Sequence, residues 1–312
     1  MASHLVVGAG TIGSAVALQL ARRGDDVLVA SRRGLAPVHD RIRAVALDAT
    51  DHDALADAAQ GATALFDCTN PAYDRWPTDF PPLAASALKA AERSGAVLVI
   101  LSNLYAYGPP DGPMSPGTPQ RSTLPKAVVR ARIWSDALAA HQAGRVRATE
   151  VRAADFVGPG AESPLGERVV PRLLAGKGVK VLGDPDVPRS WSYTEDVART
   201  LVACADDERA WGRPWHAVVD APCSQRQAVD DLAAAAGVAP VKVSSLPTLA
   251  VRAAGLFDRT IREVPKVLYQ FQAPFVSDDS LTREVLGLSP TPWAEVTGAV
   301  VESFRSPQPV DA

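Results

Sequence analysis

Hydrophobic residues in the first half of the chain fall into short blocks separated by longer stretches of helical pattern. The blocks 4–7, 27–30, 44–47, 63–66 and 96–101 are mostly apolar and four to six residues long, and they read as strands buried on both faces, with a further strand around 147–151. The intervening stretches read as helices: an alanine-rich run after Gly13, then 51–60, 83–94 and 124–142. Thr50 or Asp51 is suited to cap the second of these, and Gly95 and Gly144 stop the last two. Alternation of this kind predicts an α/β fold, a doubly wound parallel sheet covered by helices.

Past about residue 155 the pattern loosens. Gly158-Pro159-Gly160 and Ser163-Pro164 interrupt it, and shorter elements follow. These include a strand at 179–182, a helix at 194–205 capped by Thr194 with Glu195 in its first turn, and a final helix at 293–304. The tail after Ser306 is expected to fray. The predicted organisation is an α/β domain over 1–155 and a smaller lobe, mostly for substrate, over 156–312, with elements of about 190–235 returning to the first domain. The Pro/Gly-rich stretch 109–119 reads as a surface loop or lid, and no internal repeat interrupts the plan.

Composition narrows the partners. A formal net charge of −3 over 312 residues gives no electrostatic reason to expect nucleic acid or an anionic membrane. No apolar run approaches the roughly 20 residues that span a bilayer, and the first strand begins without a signal peptide's basic region. Cys68, Cys204 and Cys223 are scattered, which argues against disulfides and clustered metal ligands and for a reducing cytoplasm. The expected partners of this soluble chain are a small-molecule substrate and at most a second copy of itself.

The chemistry begins with Gly8-Ala-Gly10-Thr11-Ile12-Gly13, set between the first strand and first helix. Glycines at this spacing make a tight turn, let backbone approach a pyrophosphate and pack helix close on strand. The helix start then offers free N–H groups to the phosphates. Ser31, Arg32 and Arg33 follow the second strand, where a carboxylate would select the ribose hydroxyl of NAD. Two guanidinium forks and a hydroxyl suit a 2′-phosphate instead, so NADP(H) is the expected cofactor; solvated surface arginines are the competing reading.

In this order, several further segments resemble the extended short-chain dehydrogenase/reductase superfamily, the epimerase/dehydratase-like proteins. They are Leu47-Asp48, Asp67-Cys-Thr-Asn-Pro71, Ser102-Asn-Leu-Tyr-Ala-Tyr-Gly108, Ala153-Ala-Asp-Phe-Val-Gly-Pro-Gly160 and Trp191-Ser-Tyr-Thr-Glu-Asp-Val197. The resemblance spans nearly the whole chain and implies a Rossmann fold. It also implies that Asp48 contacts adenine, that Cys68, Thr69 and Asn70 line the cofactor, and that Ser102 is the catalytic serine. The superfamily's chemistry uses a Tyr-x-x-x-Lys pair on one helix face, but none of the five tyrosines here has a lysine four residues later.

Lys126-x-x-x-Arg130 stands in the expected place, with Arg130 available for the cofactor's ribose and Lys126 a general acid if burial lowers its pKa. A solvated basic helix face is the competing reading, with Arg132 nearby. Tyr105 is the alternative acid, ahead of Tyr107, which matches a position that is often structural. Phe156 and Trp191 would shape the substrate pocket. His216, Asp155 and Asp196 read as core or anchoring residues, no metal spacing is present, and without Gly-x-Ser-x-Gly hydrolase chemistry is disfavoured. The leading expectation is an NADP(H)-dependent oxidoreductase acting on a carbonyl or alcohol of a small or sugar-like metabolite. The alternatives are a non-redox epimerase, dehydratase or cyclase on the same fold, and a catalytically inactive NADP(H)-binding regulator.

Overall fold

A computed structural model of the chain describes residues 1–306. Its N-terminal half alternates strand and helix: β1 (Ser3–Val7), α1 (Thr11–Arg23), β2 (Asp26–Ser31), β3 (Ile42–Ala46), α2 (His52–Ala58), β4 (Ala64–Asp67), α3 (Trp76–Ser94), β5 (Val97–Asn103), α4 (Pro125–Gln142) and β6 (Arg147–Ala153). A seventh strand, Pro214–His216, pairs with β6. The order across the sheet is Pro214–His216, β6, β5, β4, β1, β2, β3, and every pair is parallel. Between β1 and β4 the winding reverses direction. At such a switch point the strand-to-helix turns diverge and leave a crevice at the C-terminal strand ends.

Helices cover both faces, which is why β4 is buried at every position and reads as an unbroken apolar run. On one face α1 packs beside the helix Thr194–Asp206 through Val16, Leu20, Val197 and Leu201. On the other, α2, α3 and α4 bury Leu55, Trp76, Phe80, Ile133 and Trp134. Each large apolar side chain enclosed in this way contributes about 2 kcal/mol. A third core, including Leu165, Leu173, Trp191, Leu232 and Val300, holds together the C-terminal part. Residues 194–216 thus supply a helix and a strand to the main sheet, while Trp191–Tyr193 pairs with Asp155–Val157.

Three local expectations change. Helix α3 begins at Trp76, seven residues early, and runs through Pro81 and Pro82. Proline forfeits a hydrogen bond there, but Trp76 and Phe80, one turn apart, are both buried and pack edge to face at 5.2 Å. Tertiary burial overrides the local preference. Thr194 is the first residue of its helix rather than the cap; Tyr193 holds that position without a side-chain hydrogen bond. Asp51 does cap α2, accepting from the N–H groups of Asp53 and Ala54. The loop 109–119 is pinned by Met114, which is fully buried and exchanges backbone hydrogen bonds with Val276 and Asp278. The tail beyond Ser306 lies outside the described residues.

Candidate active site

The crevice at the switch point is a cavity of about 480 Å³ whose lining runs from Gly10, Thr11 and Ile12 through Cys68, Thr69 and Asn70 to Ser102, Tyr105 and Arg130. Distant parts of the sequence meet here because β1, β4 and β5 are neighbours and all end on the same side. Nearly all of the residues expected to hold a cofactor's centre therefore share one wall, and Phe156 lines the cavity as anticipated. Trp191 does not; it is buried beside the Arg189 guanidinium, 5.0 Å from its ring. Residues of the loop 109–119 do not line it either.

The glycine turn is sterically committed. Gly8 has φ +103°, and a Cβ there would lie 2.7 Å from the Cys68 carbonyl oxygen. A Cβ on Gly13 would lie 1.9 Å from the carbonyl oxygen of Gly8, so helix and turn can approach only without a side chain. Gly10 differs: a Cβ there would meet nothing within 4 Å. It occupies the N-cap of α1 with no side-chain cap and no acidic residue in the first turn, leaving the helix's first N–H groups open. Thr11 Oγ1 donates to the carbonyl of Gly160 at 2.8 Å, which ties the turn to the segment after β6.

At the end of β2, Ser31 is engaged with its own loop: its Oγ accepts from the Leu35 N–H at 2.9 Å and donates to the Leu35 carbonyl at 3.0 Å. Arg32 and Arg33 are exposed, and neither has a salt-bridge partner among the described residues. Asp48 is exposed beyond β3, and bonds from the Thr50 N–H and hydroxyl hold its carboxyl below the usual range. Cys68 is buried, which pushes its thiol up and leaves it a neutral wall residue.

The other end of the cavity carries the polar side chains. Ser102 is buried, lines the space and has no side-chain partner among the described residues. Arg130 is buried too, with its guanidinium 3.9 Å from the Phe80 ring centroid and 4.9 Å from that of Trp76. Its Nη1 donates to the Leu101 carbonyl at 3.0 Å, and its Nε is without a partner. Burial pulls its pKa down to about 10, opposed by Asp67 and Glu150. Asp67, enclosed at the end of β4, is itself raised by burial and accepts two bonds from Thr69. Arg130 is thus a buried cation with no carboxylate in contact, a costly arrangement unless a ligand engages it.

Lys126, one turn earlier on α4, is placed differently. Its Nζ donates to Glu263 Oε2 at 2.6 Å, and the residue is not among those lining the cavity. Burial lowers its pKa against the pull of Glu263. The Tyr105 hydroxyl lies 3.2 Å from that of Tyr73, a residue of the cavity wall that the aromatic spacing Tyr73, Trp76, Phe80 would have signalled had the prolines not suggested a loop. Tyr107 is buried instead in a chain in which Arg152 donates to its hydroxyl at 2.7 Å, and the same hydroxyl lies 2.7 Å from His216 Nε2. Burial lowers His216 to about 3, so it is a neutral core histidine. Asp155 pairs with Arg189, and Asp196 anchors Thr291 at 2.7 Å. No group of three or more metal-ligating side chains occurs among the described residues, and no helix there is long and apolar enough to cross a membrane.

With this geometry in place, comparison with known proteins is decisive at the level of family. Residues 4–217 match the model of the NAD dependent epimerase/dehydratase family. The chain belongs to that family. Solved structures agree in fold. A double mutant of the dTDP-glucose 4,6-dehydratase DesIV from Streptomyces venezuelae is 21% identical with a TM-score of 0.77, over 98% of this chain and 97% of that one. UDP-glucose 4-epimerase from Thermotoga maritima is 19% identical with a TM-score of 0.77, over 97% and 98%. The Bordetella bronchiseptica enzyme WbmH in complex with NAD+ is 20% identical with a TM-score of 0.75, over 98% of each chain. No curated protein is a match by sequence. For this family member the extended short-chain dehydrogenase/reductase resemblance and the Rossmann-type sheet therefore both stand.

Proposed function

We propose that this family member is an NADP(H)-dependent oxidoreductase acting on a carbonyl or alcohol group of a small metabolite. The observation that carries the reading is one cavity joining an open glycine turn to an unpartnered buried serine and a buried, unpaired arginine. A dinucleotide fits the residues present: Gly8 and Gly13, where no side chain could fit, an uncapped helix start at Gly10 for the phosphates, and two unpaired cations at the end of β2. When bound, the nicotinamide supplies the two-electron chemistry. Arg32 and Arg33 would hold the 2′-phosphate, Ser31 would shape their loop, and Asp48 would face the adenine. Arg130 would hold the nicotinamide ribose, and Ser102 would hydrogen-bond the substrate oxygen.

Stopped-flow absorbance at the nicotinamide band, with NADPH and a panel of carbonyl compounds, tests this. Substrate-dependent oxidation of NADPH is the expected result. Tight NADPH binding without turnover of any compound would leave a regulatory binding role.

One observation favours a second reading. A larger cavity of about 1040 Å³ adjoins the first, sharing Gly160, Ala161 and Glu162, and is lined by Arg168, Arg172 and Lys180 beside the carboxylates of Glu162 and Glu167. Cations there suit an anionic arm such as the diphosphate of a sugar nucleotide, and one similar structure is described as MoeE5 in complex with UDP-glucose and NAD. Product formed from such a substrate with no net change in the cofactor would support epimerase or dehydratase chemistry instead.

A further inference from the structure

One wall of the cavity carries two phenols in contact. Tyr73 comes from the turn Tyr73–Arg75 before α3 and Tyr105 from the turn after β5; their hydroxyls are 3.2 Å apart, and both residues line the space that Ser102 also lines. Trp76 fixes the pair, its ring centroid 5.1 Å from that of Tyr73 and 5.7 Å from that of Tyr105. Lys126 Nζ stands 3.8 Å from the centroid of the Tyr73 ring, held by Glu263. Although it does not line the cavity, Lys126 touches a residue that does.

We infer that Tyr73 is the proton-donating residue of this site, with Tyr105 and Lys126 as positioning residues. The inference rests on the carbonyl-reducing reading. In that direction a bound reduced nicotinamide would supply the hydride, two electrons and the new C–H bond, as the C=O π bond breaks, and the substrate oxygen would take its proton from the Tyr73 hydroxyl. The electron pair of the broken O–H bond stays on Tyr73 as a phenolate, which water reprotonates. The alcohol and the oxidised cofactor leave. Oxidation runs the same steps in reverse.

The choice between the phenols follows from which phenolate is better supported. A Tyr73 phenolate accepts a hydrogen bond from Tyr105 and lies against the Lys126 ammonium. A Tyr105 phenolate has the Tyr73 hydroxyl and the Arg130 charge, but among the described residues no cation lies over its ring. Burial raises both phenols, and Tyr105 is raised further. The ionisable groups facing Tyr73 are Tyr105, Lys126, Glu263 and Tyr269; the Glu263 and Tyr269 charges oppose its ionisation.

A pH titration of the full-length protein by NMR of ring-labelled tyrosine reads the pairing without turnover. The Tyr73 signal is identified by its loss in Tyr73→Phe, a variant that keeps the packing ring. Tyr105→Phe and Lys126→Met should each raise its midpoint, by about one pH unit, and Lys126→Arg should restore it. A midpoint moved by neither variant, or beyond the folded range in every form, overturns the inference. With any carbonyl that oxidises NADPH, Tyr73→Phe should lower the saturated rate about a hundredfold. Tyr105→Phe should lower it by less; a Tyr73→Phe rate equal to wild type, or a larger loss in Tyr105→Phe, also overturns it. If no carbonyl is reduced by the wild-type protein, the oxidoreductase reading fails, and the titration still decides whether Tyr73 is the supported phenol.

Discussion

The two ends of the cavity are built by opposite strategies. At the glycine turn, three residues within six positions create the site, and neighbouring backbone enforces it: Gly13 meets the carbonyl of Gly8, and Gly8 meets that of Cys68. At the polar end, Tyr73, Ser102, Tyr105 and Arg130 come from four segments, and Glu263 reaches Lys126 from 137 positions away. The first end is therefore sensitive to volume and the second to pairing. Lys126 and Arg130 show how far pairing matters. One turn apart on α4, the lysine is satisfied by a carboxylate, while the arginine has a carbonyl and two aromatic rings, no carboxylate, and an Nε without a partner.

The largest test of this contrast is at the turn. Gly13→Ala should destabilise the fold by about 3 kcal/mol in denaturant titrations, because its Cβ would fall on backbone oxygen rather than on a flexible side chain. Gly10→Ala has open space and should unfold within about 1 kcal/mol of wild type, yet bind dinucleotide more weakly. Equal losses of stability would remove the steric argument.

Next in size is the cofactor end of β2. Replacing Arg32 and Arg33 together by Glu should weaken NADPH binding about a hundredfold in fluorescence titrations and change NADH binding far less. Equal weakening of both would sink the 2′-phosphate assignment.

Pairing at the other end predicts a pH signature. Burial pushes the Glu263 carboxyl up, but hydrogen bonds from Lys126 and Lys266 outweigh it and hold the group below the ordinary glutamate range. A depressed carboxyl contributes stability above its unfolded pKa, near 4.3, and loses it as pH falls through the lower folded value. Lys126→Met should therefore cost about 2 kcal/mol at neutral pH, with the gap to wild type closing in acid. A gap independent of pH would show the loss to be one of packing.

The smallest effect belongs to Ser31. Its hydroxyl holds Leu35, so Ser31→Ala should cost about 1 kcal/mol of stability, with a smaller effect on NADPH affinity than the arginine pair.

Much of the fold was legible because its signals are local. Strand-length apolar blocks from β1 to β5, the glycine turn and the Asp51 cap are each decided by residues within a few positions of one another. Where legibility failed, a distant contact outweighed a local preference. The prolines of α3 suggested a loop until Trp76 and Phe80 found a core, and that error hid Tyr73 from the site. The 109–119 segment, read as a surface loop or lid, is a mostly exposed loop, but nothing local reveals the pairing of Met114 with Ser277.

By itself the sequence determined the parallel α/β plan, the glycine turn and the candidate cations, since helix, strand and turn preferences act over a few residues. Only the tertiary structure decided which cation is paired, which tyrosine faces which, and which side chains share the cavity. Those outcomes depend on desolvation and on partners far away in the chain. A lysine's chemistry is set by whether Glu263 reaches it, and no spacing around Lys126 records that.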